Sequence, residues 1–334
     1  MHRTSAGSLA EIEVMFRHPL IGFVAQRIAL GGVLLLAASV LIFAGTQILP
    51  GDVAQSILGQ SATPQALANL RAELGLNEPV TTRYFNWLFG VLQGDLGKAL
   101  TNGQDIATSM GGRLGNTLFL AGWAALISVP LAILLGLIAV RYQGRWPDKL
   151  ISGVTLATVS VPEFLLGYIV MFILSVQFRV FPSVATVYDG MPFFDKLNAI
   201  ALPVLVLVLV VLGHMMRMTR AAILNVMQSA YIETAELKGL RPFKIIARHA
   251  LPNAVAPVVN VVMLNMAYLV VGVVVVEVVF VYPGMGQYLV DHVAKRDVPV
   301  VQACGLVFAA VYIGLNMVAD IVSILANPRL RHPK

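Results

Sequence analysis

A chain that hydrolysed nucleotide would carry a loop of the form Gly-x-x-x-x-Gly-Lys-[Ser/Thr], whose backbone N–H groups cradle the phosphates. No stretch has that form: Gly97-Lys98 lacks both the upstream glycine at the right distance and a following hydroxyl. Metal and nucleophile constellations are missing as well. The six histidines (His2, His18, His214, His249, His292 and His332) are scattered over termini, loops and ends of apolar runs, with no pair at ligand spacing. His249, within a polar stretch, is read as a structural hydrogen-bonding residue before a ligand. What remains is three carboxylates inside or beside long apolar runs, Glu163, Glu277 and Asp320. Desolvating a carboxylate in a membrane is costly, so each is a functional candidate by default. Each also has a structural reading. Glu277 lies near the end of its run and could snorkel to the interface. Asp320 could pair with a cation such as Arg329 or with a partner. Glu163 follows Pro162 and could face a pore or the interface. Three isolated carboxylates do not make a proton relay.

The other chemically distinctive stretch is Tyr231-Ile-Glu-Thr-Ala-Glu-Leu-Lys-Gly239, continued as Leu240-Arg-Pro-Phe-Lys-Ile-Ile-Ala-Arg-His-Ala-Leu-Pro252. It is polar and basic between two apolar runs. Gly239 suits the left-handed position that ends a helix, and Pro242 suits the opening of the next. Two short helices, about 230–238 and 242–250, therefore meet at a bend. On the second, Phe243, Ile246, Ala247 and Ala250 share one face at spacings of three and four, opposite Arg241, Lys244 and Arg248. Ile245 fits neither face. A side chain at Gly239 would strain the backbone and crowd the junction. Such an elbow can lie on a membrane surface or dock into a groove on a partner.

The elements that must position these residues are helices in a bilayer. Of 334 residues, 58% are hydrophobic and 12% charged, with a mean hydropathy of +0.81; a soluble domain carries about twice that charge. The chain is an integral membrane protein. The net charge of +6 does not indicate nucleic acid, because the basic residues cluster beside apolar runs. The lone Cys304 excludes a disulfide within the chain. Residues 1–17 do not read as a cleaved signal and receive no function; His18–Arg27 reads as an interfacial lead-in. Crossing a bilayer takes about 20 apolar residues. Six segments qualify, near 28–49, 116–140, 151–177, 199–216, 258–281 and 300–325. Pro162 kinks the third, and Pro130 and Pro203 kink the second and fourth. Of the 23 Lys and Arg residues, 15 fall on one side of these spans and 8 on the other. The richer side, holding both termini and the elbow, is expected to be cytoplasmic. The domain reading is thus an extension over 1–27 and a transmembrane domain over 28–334, with 50–115 outside and 230–252 inside.

The outer segment begins Pro50-Gly-Asp52. A helix follows from Thr63, a plausible cap, with Pro64 as its first residue. Tyr84, Phe85, Trp87 and Phe89 then precede Asp95-Leu-Gly97. Aromatics beside a span mark the headgroup belt more often than a ligand cage.

Glu233-x-Ala235-x-x-x-Gly239, nine residues, then His249-x-Leu251-Pro252 resembles the EAA loop of binding-protein-dependent ABC importer permeases. The departures are Thr234 for the first alanine and His249 for a large aliphatic residue. Thr234-Ala-Glu-Leu-Lys-Gly239 is similar to the peptide-importer version, with Glu236 in place of the usual basic residue. Pro50-Gly-Asp52, Leu74-Gly-Leu76, the Tyr84/Trp87 pair, Asp95-Leu-Gly97, Arg113-Leu-x-Asn-Thr117, Ser160-Val-Pro162 and Tyr282-Pro-Gly-Met-Gly286 extend the likeness over about 18–332. Lys98-Ala99 and Gly115 depart from it. The match is to the first of two paired permeases of dipeptide, oligopeptide and nickel importers.

The resemblance implies an all-α, polytopic fold of six transmembrane helices, the type I importer permease fold. It implies that Glu233, Thr234, Ala235, Glu236, Lys238, Gly239, Leu240 and Pro242 form the coupling helix that sits in a cleft of an ATPase subunit. Partners would be a homologous permease, two ATPases that bind the ATP and Mg, and an extracytoplasmic binding protein. Glu163 is a candidate for the translocation path. The rival is a self-sufficient secondary transporter, which would call for inverted repeats and an intramembrane ion site; neither is visible. An embedded hydrolase would need a nucleophile and base that are also missing.

Overall fold

The computed structural model describes residues 19–48, 53–73 and 75–326. Residues 1–18, Pro50-Gly51-Asp52, Leu74 and Arg329 lie outside them. The described residues are helical, apart from loops and one isolated bridge between Lys98 and Asp105. Among the described residues, five helices are long and apolar enough to cross a membrane, or six if one bent pair counts as a span.

The first helix, α1 (Pro19–Ile48), is continuous from the expected lead-in through the expected span. Short helices α2 (Val53–Leu58), α3 (Pro64–Glu73) and α4 (Val80–Leu92) follow. Thr63 caps α3, its hydroxyl accepting from the Ala66 N–H at 3.2 Å. Asp105 caps α5 (Ile106–Arg141) by accepting from the backbone N–H and hydroxyl of Thr108. Those two hydrogen bonds hold its carboxyl below the usual range.

The expected third span is a break rather than a kink. Helix α6 (Trp146–Ser160) and α7 (Glu163–Met171, extended by a π-turn to Gln177) meet at 106° across Val161-Pro162. Proline forces its predecessor out of the helical region, and Val161 is extended at ψ 131°. Helix α8 (Phe193–Met227) runs on through Pro203, as α5 does through Pro130. It is the centre of the bundle. Ile200, Leu202, Val206, Leu207, Val211, Met215 and Met216 are buried around much of its circumference. A helix apolar all round belongs in the interior.

The chain then forms α9 (Ala230–Leu237), α10 (Pro242–Ile245), a π-turn over Ile246–Ala250, α11 (Leu251–Val279), α12 (Met285–Ala294) and α13 (Val298–Ala326). Helix α1 packs along α13 with its other side exposed. Arg27 pairs with Asp320 at 3.1 Å, and Gln302 donates to Thr46 at 2.7 Å. The expectation for Asp320 is thus met by Arg27.

Tyr84 and Trp87 also pack inward, against α1. Their rings stack against Phe43 of α1 at 5.3 and 5.8 Å, and the Tyr84 hydroxyl lies 2.9 Å from the Ser39 hydroxyl. They clasp α4 to α1, while Phe85 and Phe89 are exposed.

A candidate coupling elbow and the carboxylates of the spans

The elbow is closed by hydrogen bonds that Gly239 makes possible. Its φ is +72°, and its N–H donates to the Glu236 carbonyl at 2.8 Å while the Leu240 N–H reaches back to Ala235 at 3.3 Å. This pair of bonds is the Schellman ending of a helix. Beyond it, Pro242 is the first residue of α10. The space around Gly239 is open, with nothing within 4 Å of where a Cβ would stand. A single Cβ would meet no neighbour there, and backbone strain makes the position favour glycine over alanine.

One side of the elbow is embedded. Ile232 and Ala235 of α9, with Ile245, Ile246 and Ala250, pack against Val140 of α5, Ile223 of α8, and Ala254 and Val258 of α11; Leu240 packs against the same cluster. Of the expected face, Ile246 and Ala250 are buried, while Phe243 and Ala247 are exposed. Ile245 is buried and Phe243 is 73% exposed. The π-turn over Ile246–Ala250 widens the helix there, so spacings of three and four no longer mark one face.

Of the candidate residues, Ala235 and Leu240 anchor the elbow. Glu233, Thr234, Glu236, Lys238, Gly239 and Pro242 are exposed. Leu237, 83% exposed, and Phe243 add an apolar centre to that surface; the sequence reading placed Phe243 on the apolar face and gave Leu237 no part. His249 contributes its backbone carbonyl, which accepts from the Asn253 amide at 2.7 Å.

Beside the elbow, Asp148 of α6 accepts two bonds from Arg220 of α8, each 2.9 Å, and one from the Gly144 N–H at 2.9 Å. This pair went unnoticed in the sequence because 72 residues separate its members. It ties the start of α6 to the central helix.

At the opposite end, Glu277 does not snorkel. It is fully buried and accepts from the Thr117 hydroxyl at 2.6 Å, the Gly286 N–H at 2.7 Å and the Gln287 N–H at 3.2 Å. The last two are free donors of the first turn of α12, so Glu277 caps that helix from a neighbouring one. Thr117 also accepts from the Met285 N–H, and Asn116 donates to the Pro283 carbonyl at 3.0 Å. Tyr282 donates to the Asn116 carbonyl at 2.9 Å. Burial, then the Glu277 charge, push the Tyr282 phenol above its ordinary range, so it remains a donor. Arg113-Leu-x-Asn-Thr117 and Tyr282-Pro-Gly-Met-Gly286 are therefore two halves of one joint. A Cβ on Gly284 would overlap the Glu277 carboxyl, and one on Gly286 would lie 2.6 Å from Val274 Cα.

Glu163, the first residue of α7, is half-buried. Its Oε1 is enclosed and has no hydrogen-bond partner. It borders Gly272 of α11, as does Tyr268. No group of three or more His, Cys, Asp or Glu residues among the described residues could hold a metal.

A bundle of membrane-length helices with a packed helical elbow defines a polytopic transport component, and comparison with known proteins gives its family. Residues 128–332 match the model of the binding-protein-dependent transport system inner membrane component, and 20–116 match its N-terminal companion. The chain belongs to this family: it is the inner-membrane permease component of an ABC importer, with the all-α type I permease fold. A Brucella abortus protein named for a peptide transport system permease is 34% identical over 311 residues, covering 92% of this chain and 98% of the relative. The "Glutathione transport system permease protein GsiC" of Salmonella typhimurium is 35% identical over 300 residues, covering 89% and 95%. The "Probable peptide ABC transporter permease protein" of Sinorhizobium fredii is 33% identical over 296 residues, covering 88% and 94%. The family is not one of self-sufficient transporters, which removes the secondary-transporter reading.

Proposed function

We propose that this chain is one of two homologous permeases that together carry di- or oligopeptides, or a related small solute, across the inner membrane. Two ATPase subunits hold the ATP and Mg, and an extracytoplasmic binding protein delivers the solute. The termini and the elbow 230–252 face the cytoplasm; residues 50–115 face outward. The observation that carries this reading is the elbow itself. One face is fixed to α5, α8 and α11 by Ile232, Ile245 and Ile246, and the other presents Glu233, Leu237, Lys238 and Phe243 to a partner. A rigid element gripped by spans on one side and by an ATPase on the other can pass on ATPase closure as helix movement. Glu233 lies in the first turn of α9, where negative charge is favoured.

The test is reconstitution of the chain with its second permease and ATPases in vesicles. Binding protein and labelled dipeptide are supplied on one side and ATP on the other. Uptake requiring all components is expected. Uptake that persists without the ATPases, driven by an ion gradient, would overturn the reading.

A further inference from the structure

Glu163 is the carboxylate that the coupling elbow and the α12 joint leave unused. It stands at the 106° break between α6 and α7, with Ser160 and Pro162 of the break exposed. Irregular backbone at membrane depth is tolerated where protein covers it or where it lines a water-filled cavity. Glu163 is the first residue of a helix that continues to Gln177, where the unpaired N–H groups favour a negative charge. Its Oε1 is enclosed without a partner, in contrast to Glu277 and Asp148, whose oxygens are satisfied. A buried carboxylate oxygen left unpaired is costly unless a proton or a cation arrives to meet it.

Both Glu163 oxygens lie against Gly272 of α11. A Cβ there would lie 3.8 Å from Glu163 Oε1 and 3.5 Å from Tyr268 Cε1, so carboxylate and ring border the same space. Tyr268 is 50% exposed. A point charge next to an aromatic ring suits a compact organic ammonium, which gains from both. It does not suit a divalent metal, which needs several oxygen donors.

We propose that Glu163 and Tyr268 form a transient site for the primary ammonium of the translocated solute, such as the free amino terminus of a peptide. The proposal rests on the peptide-permease reading above. The site would favour substrates carrying a positive amino group once they have left the binding protein. It sits where α7 and α11 meet, so a shift of these helices parts the carboxylate from the ring and releases the ammonium.

The test uses the complete complex in vesicles and two dipeptides that differ in N-terminal acetylation, with binding-protein affinity for each measured separately. The readout is the ratio of free-amine to acetylated uptake. Glu163→Gln is expected to lower that ratio roughly tenfold or more, the worth of a hydrogen bond to a charged group. Glu163→Asp should restore part of it, and Tyr268→Leu should lower it less. An unchanged ratio in Glu163→Gln, whatever the absolute rates, overturns the proposal. So does loss of the second permease from the purified Glu163→Gln complex, which would make the carboxylate a subunit contact. A wild-type complex that moves neither peptide overturns the peptide reading itself, a result told apart because it precedes any substitution.

Discussion

At the scale of single residues, two carboxylates in spans have opposite economies. Glu277 is saturated by donors, whereas Glu163 keeps one oxygen free. Replacing Glu277 with Ala strands a hydroxyl and two backbone N–H groups, each at about 1–3 kcal/mol. Glu277→Ala is therefore expected to lower the unfolding midpoint sharply, and Glu277→Gln, which keeps an acceptor, to do so less. Cys304 provides the probe: it is the single cysteine and fully buried, so a thiol-reactive dye reports unfolding. Glycines divide the same way. Gly286→Ala meets the fixed backbone of Val274 and should prevent accumulation of folded protein. Gly239→Ala meets open space and pays about 1–2 kcal/mol of backbone strain, so it should still insert and fold. A Gly239→Ala protein that fails to accumulate like Gly286→Ala would show that the elbow is more crowded than the geometry indicates.

At the scale of elements, what could be read from sequence was local. Thr63 as a cap, Gly239 as a helix end and Pro242 as a helix start each act within a few residues, and each is found in place. The spans were legible because hydropathy sums over many positions. The role of Glu277 was not, since Thr117 stands 160 residues away and only the folded bundle brings them together. The packing of Tyr84 and Trp87 on Phe43 was hidden for the same reason: Phe43 is on another helix. The elbow's face was legible in part: Ile246 and Ala250 are buried as their spacing indicates, whereas Ile245 is buried and Phe243 exposed beside a π-turn that interrupts the period. That correction changes which substitutions are informative. Leu237→Asp and Phe243→Asp alter side chains exposed by 83% and 73% and should leave stability within about 0.5 kcal/mol. They should nevertheless reduce ATPase retention during purification. Ile246→Ala empties a core position and should cost about 2–5 kcal/mol. If Leu237→Asp and Phe243→Asp retain the ATPase as the wild type does, the exposed face of the elbow is not its docking surface.

At the scale of the whole molecule, the two ends of the bundle are built for different tasks. One carries the elbow and the Arg220–Asp148 pair, which connect α6, α8 and the ends of α5 and α11. The other carries the Glu277 joint and the turn at 97–105. There Thr101 donates through its N–H and hydroxyl to Asp297, and Ala99 is buried with Tyr288 and Cys304. A permease that converts ATPase closure into solute movement needs the first end in the cytoplasm, and the 15-to-8 distribution of Lys and Arg favours that orientation. Single cysteines test it directly. In a Cys304→Ser background, Ala68→Cys on α3 and Lys244→Cys on α10 each place a thiol at an exposed position. An impermeant maleimide applied to intact cells should label Ala68→Cys at once and Lys244→Cys only after the membrane is permeabilised. Both are surface changes far from the packed joints, so insertion and folding should be unaffected. Labelling of Lys244→Cys in intact cells, with Ala68→Cys protected, would invert the molecule and place the elbow where no ATPase can reach it.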